Sequence, residues 1–229
     1  VKQDLSRYSK SGFYYWKYLR TPEIETTASI ISIESTKVIS IKEGKETGLL
    51  DQLERQSKAF QEKDTFRRIL IKKIGPPTGP LRSEASEAGK EKDYFISFQE
   101  IFRILGINIP TNILENLKED HTLFLYAQEE SNRLGIIVRL GNIDNLRNNI
   151  KSWEGTMPTD LSVLFFGEEF TQPANKEFKD NIYRGVNIRY FNFLNPTLSV
   201  DYTIIKDYLV IATSKESTYK VIDRILKTD

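Results

Sequence analysis

Residues 122–140 read TLFLYAQEESNRLGIIVRL. Two apolar runs, 122–128 and 134–140, flank a polar turn at 129–133, which is the pattern of a β-hairpin. Gly141 ends the second run. Asn142 then stands where it caps a helix whose Ile143, Leu146, Ile150 and Trp153 share one face. A lone hairpin cannot hide its apolar face, so a helix folded back on it completes the unit. This unit sets the expectation for the whole chain: antiparallel strands backed by amphipathic helices.

Upstream, residues 28–33 (ASIISI) and 36–42 (TKVISIK) read as two strands, with Glu34 and Ser35 between them. A helix is predicted over 46–60, where Leu49, Leu53 and Phe60 share a face, and a third strand over 66–73. Strand, turn, strand, Gly44 and helix over 28–60 thus match the order seen over 122–153, either as an old duplication or as the shared economy of packing a helix on a hairpin. Residues 75–93 hold three Pro and three Gly with almost no large apolar side chain, and read as a loop or linker. Ser97 and Glu100 then have capping-box spacing, and Phe98, Ile101, Phe102 and Leu105 form a helical stripe that Gly106 stops. Pro110 opens a short helix, and Pro158 with Thr159 opens another that carries Leu161, Leu164 and Phe165.

Downstream, 182–193, 198–206 and 208–213 read as a meander, followed by a helix capped by Thr213 and Glu216 that buries Val221, Ile222, Ile225 and Leu226. Alternation places Ile182, Val186, Ile188 and Tyr190 on one face, and Tyr183, Asn187, Arg189, Phe191 and Phe193 on the other. Both faces are partly apolar. A second layer over the outer face is the expectation; an aromatic patch exposed to a partner is the alternative.

Composition narrows the chemistry. The 229 residues carry 33 basic and 32 acidic side chains, a net charge of +1, one His and no Cys. The near-zero charge gives no global field for nucleic acid or an anionic membrane. Without Cys there are no disulfides, thiol nucleophiles or cysteine-bound metals. No phosphate-binding glycine loop, nucleophile elbow or H-E-x-x-H occurs. The single His121 reads as structural or solvated, and no spacing supports a serine–lysine pair. Glu129-Glu130 and Glu168-Glu169 lie in turns. Glu154 and Asp160 are the acid pair on which a hydrolase reading would rest, although an acid at 160 also suits a helix dipole. Lys72, Lys73, Arg67 and Arg68 alternate in pairs along one strand, so they cannot form a single basic stripe for nucleic acid.

The first twenty residues differ from the rest. Lys2, Arg7, Lys10, Lys17 and Arg20 stand against Asp4 alone, beside Tyr8, Phe13, Tyr14, Tyr15, Trp16 and Tyr18. Rings beside basic residues suit a membrane–water interface and equally suit an arm packed on the body. The chain opens at Val1, and residues 1–27 are expected to follow a membrane helix.

The run Trp153-Glu154-Gly155-Thr156-Met157-Pro158-Thr159-Asp160-Leu161, followed by Leu164 and Phe165, resembles the W-E-x-x-M-x-x-D-L-x-x-L-F signature of an uncharacterised family. The members of that family are membrane-anchored proteins of candidate-phyla bacteria. Tyr183-Arg184-Gly185-Val186 and residues 207–213 (DYLVIAT) are similar to the closing segment of a broader class of bacterial domains of unknown function. Where the family has a Met-Leu-Gly run in the hairpin, this chain has Leu123-Phe124-Leu125-Tyr126. The resemblance implies an upstream membrane anchor and a body on the extracytoplasmic face of the cell membrane. It implies no reaction and no catalytic residue.

The expected architecture is therefore an α+β fold, antiparallel sheets with helices packed on one face, with room for two similar small lobes. The expected organisation is an arm over 1–27, a first lobe over 28–74, a linker over 75–93 and a second lobe over 94–229. The expected function is noncatalytic: protein–protein contact in a cell-envelope assembly, with Tyr14, Tyr15, Trp16 and Tyr18 as the partner-binding residues. No cofactor, metal or nucleic acid is expected. A hydrolase using Glu154 and Asp160, or a nucleic-acid uptake module, are the alternatives.

Overall fold

The structure is a computed structural model that describes residues 28–75, 93–129, 131–141, 146–168 and 171–227. In chain order its elements are β1 (Ser35–Lys42), α1 (Gly48–Lys58), β2 (Phe66–Ile74), β3 (Asp93–Phe95), α2 (Phe98–Ile104) and α3 (Thr111–Leu114). Then come β4 (Leu117–Ala127), β5 (Asn132–Leu140), α4 (Leu146–Trp153), α5 (Met157–Asp160) and a 3₁₀ turn (Ser162–Phe165). The chain closes with β6 (Lys179–Tyr183), β7 (Val186–Asn192), β8 (Ser199–Ile205), β9 (Tyr208–Ala212) and α6 (Lys215–Lys227).

The β4–β5 hairpin forms as its sequence requires, with Thr122 opposite Ile137 and Ala127 opposite Asn132. It sits at the centre of one mixed, mostly antiparallel sheet in the order β1-β2-β4-β5-β9-β8-β7-β6, with β3 also paired to β2. The fold is α+β. Residues on either side of 75–93 share this sheet, because Phe66, Arg67 and Arg68 pair with Tyr126, Leu125 and Phe124.

Alternation along the strands divides the core. On the first face Leu123, Leu125, Leu134, Ile136 and Ile211 pack with Leu49 and Leu53 of α1, Phe98 and Ile101 of α2, and Ile150 and Trp153 of α4. On the second, Phe124, Tyr126, Ile137 and Val210 pack with Val221, Ile222 and Ile225 of α6 and with Ile31. Helices thus cover both faces rather than the one expected. The cause is legible in the central strands, which are apolar at nearly every position. Each buried Leu or Ile contributes roughly 1.5–3 kcal/mol relative to exposure, so neither face can be left open.

Four local readings are corrected. Residues 28–33 form no strand. They cross the second face, where Ile31 is buried and the Ile30 amide donates to Thr122 Oγ1 at 2.9 Å. Glu34 then ties this segment to the start of β2 by accepting from the Phe66 amide, and to α6 by accepting from Arg224. β1 pairs in parallel with β2 through the α1 crossover, so 28–60 is not a hairpin and does not repeat the plan of 122–153. Residues 182–193 are two strands, not one. Arg184 and Gly185 both have positive φ, the geometry of a tight two-residue hairpin turn, and Tyr183 pairs with Val186. That turn moves Tyr183 to the face of Val186, against Tyr219 of α6, and moves Ile182 to the face of Asn187. Finally, the α6 cap is Ser214, whose Oγ accepts from the Ser217 amide. The Thr213 hydroxyl donates instead to the Leu134 carbonyl. The Ser97 cap and the Gly106 stop on α2 are as read, with Ser97 Oγ accepting from the Glu100 amide and Gly106 at φ 71°.

Candidate functional site: the α4 end and the β7–β8 ladder

The segment 153–165 follows α4 and closes the first face. Trp153, at the last position of α4, is buried, and its indole Nε1 donates to Asp160 Oδ2 at 2.7 Å. Met157, Leu161, Leu164 and Phe165 are buried beneath it. Glu154 turns the other way. Its two oxygens accept from Arg189 Nε at 2.8 Å and Nη2 at 2.6 Å, a two-pronged pair of the strong charge-assisted kind. Tyr202 OH donates to Glu154 Oε1 at 2.5 Å. The remaining Arg189 nitrogen, Nη1, donates to Asp180 Oδ2 at 2.7 Å.

The strands explain this meeting. Arg189 and Tyr202 are directly opposite on β7 and β8, so both project to the same face, toward α4. Hydrogen bonding to Glu154 holds the Arg189 pKa above its ordinary value. Burial, with the hydrogen bond to Glu154, raises that of Tyr202. Arg189 therefore stays charged and Tyr202 stays a donor throughout the neutral range. Glu154 and Asp160 lie in one segment, and each accepts from a side-chain donor of the fold, Glu154 from Arg189 and Tyr202, Asp160 from Trp153. A glycosidase-type pair needs two acids converging across a space.

Beside this clamp, between α4 and the β7–β8 ladder, lies a cleft of about 190 Å³ lined by Arg147, Lys151, Asp180, Asn187, Arg189 and Thr203 among others. A wider hollow of about 600 Å³ lies along α2 and the loop to α3, lined by Gln99, Glu100, Phe102 and Ile109 among others.

The other sequence candidates resolve individually. Burial lowers the pKa of His121, its Nδ1 lies 2.8 Å from the Glu119 carbonyl oxygen, and its ring packs on Phe98. It is a neutral structural histidine. Lys73 is buried between Glu46 and Glu100, each 3.0 Å from Nζ. Burial alone would depress its pKa, but these two carboxylates outweigh it and raise it, the reverse of what a lysine base needs. Glu129 is exposed and faces Lys63, while Glu168 accepts from Arg133 at 2.6 Å. Lys72 pairs with Asp93, Lys73 points to the opposite face, and Arg67 donates to the Phe60 carbonyl, so no basic stripe forms on β2. Tyr14, Tyr15, Trp16 and Tyr18, like Glu130, Glu169, Asn142 and Ile143, lie outside the described residues. No group of three His, Asp or Glu suited to a metal occurs among the described residues, nor any helix long and apolar enough to cross a membrane.

Arg189 and Tyr202 were not singled out from the sequence as site residues. One signal was present: alternation puts an arginine on the same face as Phe191 and Phe193, and an inward arginine demands an acid. Searches against protein-family models, curated proteins and solved structures found no match to this chain.

Proposed function

We propose that this chain is a noncatalytic binding body: the extracytoplasmic domain of a membrane-anchored cell-envelope protein that works through protein contacts, in a surface or secretion assembly. The observation that carries the reading is the state of the Trp153–Asp160 segment. The two acids best placed for hydrolysis hold the fold together, Glu154 through Arg189 and Tyr202, Asp160 through Trp153. Exposed apolar side chains support the same reading. Phe60 is 91% exposed, Ile182 72% and Leu194 64%, apolar side chains open to contact with a partner. The envelope address rests on the aromatic and basic composition of the first twenty residues.

The test uses the chain with its native upstream reading frame, expressed in a bacterial host, with a photo-crosslinking residue at Trp16 or Phe60. The expected result is protease accessibility from outside the cytoplasmic membrane, and one crosslinked envelope protein that unlabelled chain competes away. Fractionation with the cytosol would overturn the address. A hydrolytic turnover lost in E154Q or D160N would overturn the noncatalytic reading.

A further inference from the structure

We propose that the cleft between α4 and the β7–β8 ladder is a binding site for one oxyanion group, a phosphate or a carboxylate. The proposal rests on charges that no described residue compensates. Arg189 is satisfied by Glu154 and Asp180. Arg147 and Lys151 line the same cleft from α4 and are in no ion pair among the described residues. They stand four positions apart on one helical face, where like charges repel. Lys151 lies in the last turn of α4, where the helix dipole favours a cation. Three cations and two carboxylates border the cleft, leaving it net positive.

The neutral lining fits the same ligand. Asn148 lines the cleft with an amide donor, and Asn187, whose Nδ2 donates to Asp180 Oδ1 at 3.4 Å, carries a second N–H, the donors an oxyanion takes alongside cations. At about 190 Å³ the cleft is smaller than the roughly 300–1,000 Å³ that encloses a drug-sized molecule, so it suits a single anionic group. That group is either a free ion or the end of a side chain on a partner. The clamp sets the floor: Glu154 is buried against Arg189 and is not part of the lining, Asp180 lines the cleft but is paired with Arg189, and the two α4 cations are paired with no described residue. The proposal is independent of the envelope reading, since it requires only this cleft.

The test is a titration of amide chemical shifts at constant ionic strength, with inorganic phosphate in one arm and a glutamate-rich peptide in the other. The expected result is saturable shifts at Arg147, Lys151 and Asn187 in at least one arm. Affinity should fall tenfold or more in R147A/K151A and stay unchanged in K37A/K42A, which removes two cations from β1. The arm with the tighter saturation identifies the source of the oxyanion. Both α4 positions are exposed, so the double variant should keep its thermal midpoint. Shifts that never saturate in either arm, or that persist unchanged in R147A/K151A, would overturn the site.

Discussion

Phe124 and Gly135 face each other across β4 and β5, and the Phe124 ring fills the space that any side chain at 135 would need. A Cβ at Gly135 would lie 2.3 Å from Phe124 Cζ. The pair belongs to a row that crosses the whole sheet: Thr36, Arg68, Phe124, Gly135, Ala212, Asp201, Tyr190 and Lys179. Small residues at 135 and 212 let the ring lie flat on the second face, and α6 packs above it. The ring has no room to retreat, because Phe124 is fully buried and meets Phe66 edge-on at 5.2 Å.

Gly135→Ala is therefore expected to destabilise the fold by about 1–3 kcal/mol or more, an overpacking cost. Urea denaturation measures it. Shrinking the ring in the same molecule, as Phe124→Leu, should recover part of the loss. Additive losses in G135A/F124L would show that the two positions do not share that space.

The Glu154–Arg189 pair is largely buried on both sides, at 13% and 18% side-chain exposure. Removing one partner of such a pair leaves the other's charge stranded, at a cost of about 3–5 kcal/mol. Arg189→Ala is expected near that range. Glu154→Ala should cost less, because Asp180 still meets Arg189. The double variant should lose less than the sum of the two, and a double-mutant cycle on chemical denaturation reads the difference. Tyr202→Phe should cost about 1–2 kcal/mol for its lost hydrogen bond to the carboxylate.

Asp160 separates a structural role from a charge role. Asp160→Asn keeps an acceptor for the Trp153 indole and should lose well under 1 kcal/mol, whereas Asp160→Ala orphans a buried N–H and should lose about 1–3 kcal/mol. Indole emission should shift in Asp160→Ala and hold in Asp160→Asn. Equal losses in the two variants would mean that the negative charge, not the acceptor, matters at this position.

Much of this architecture is legible locally. The β4–β5 hairpin follows from two apolar runs around a polar turn, and the α2 cap and stop follow from Ser97 and Gly106. What escapes is long-range. Residues 28–33 carry a strand's composition, but that composition does not distinguish pairing in a ladder from crossing over one, and the Thr122 hydroxyl that receives Ile30 is 92 positions away. Likewise β1 finds β2 in parallel because α1 intervenes, a choice that no two-residue period encodes. The acids at 154 and 160 are visible as residues, whereas Arg189, the partner of Glu154, lies 35 positions downstream on β7. Across 153–165, Trp153, Met157, Leu161, Leu164 and Phe165 are buried and both acids are hydrogen-bonded within the fold.

Asp201, in the same cross-sheet row as Gly135, makes the pH dependence of this fold specific. It is 1% exposed, and its Oδ1 has no hydrogen-bond partner. Burial raises its pKa from 3.8 to about 7, opposed only in part by a hydrogen bond with Ser199 and the charge of Lys215. The native state therefore holds a proton that the unfolded chain releases near pH 4. The Asp201 contribution to stability is full below that point, falls as pH rises from about 4 to about 7, and is lost above. The full swing is up to about 4 kcal/mol. Asp201→Asn removes the titration, so the variant should be more stable than the parent at pH 8 and similar at pH 4. His121 contributes in the opposite sense, because its lowered pKa adds stability as pH rises toward 6.5. It does so equally in both proteins and cancels in their difference. Urea midpoints at pH 4, 6 and 8 read that difference directly, and a gap that does not widen with pH would mean that some other group sets the slope.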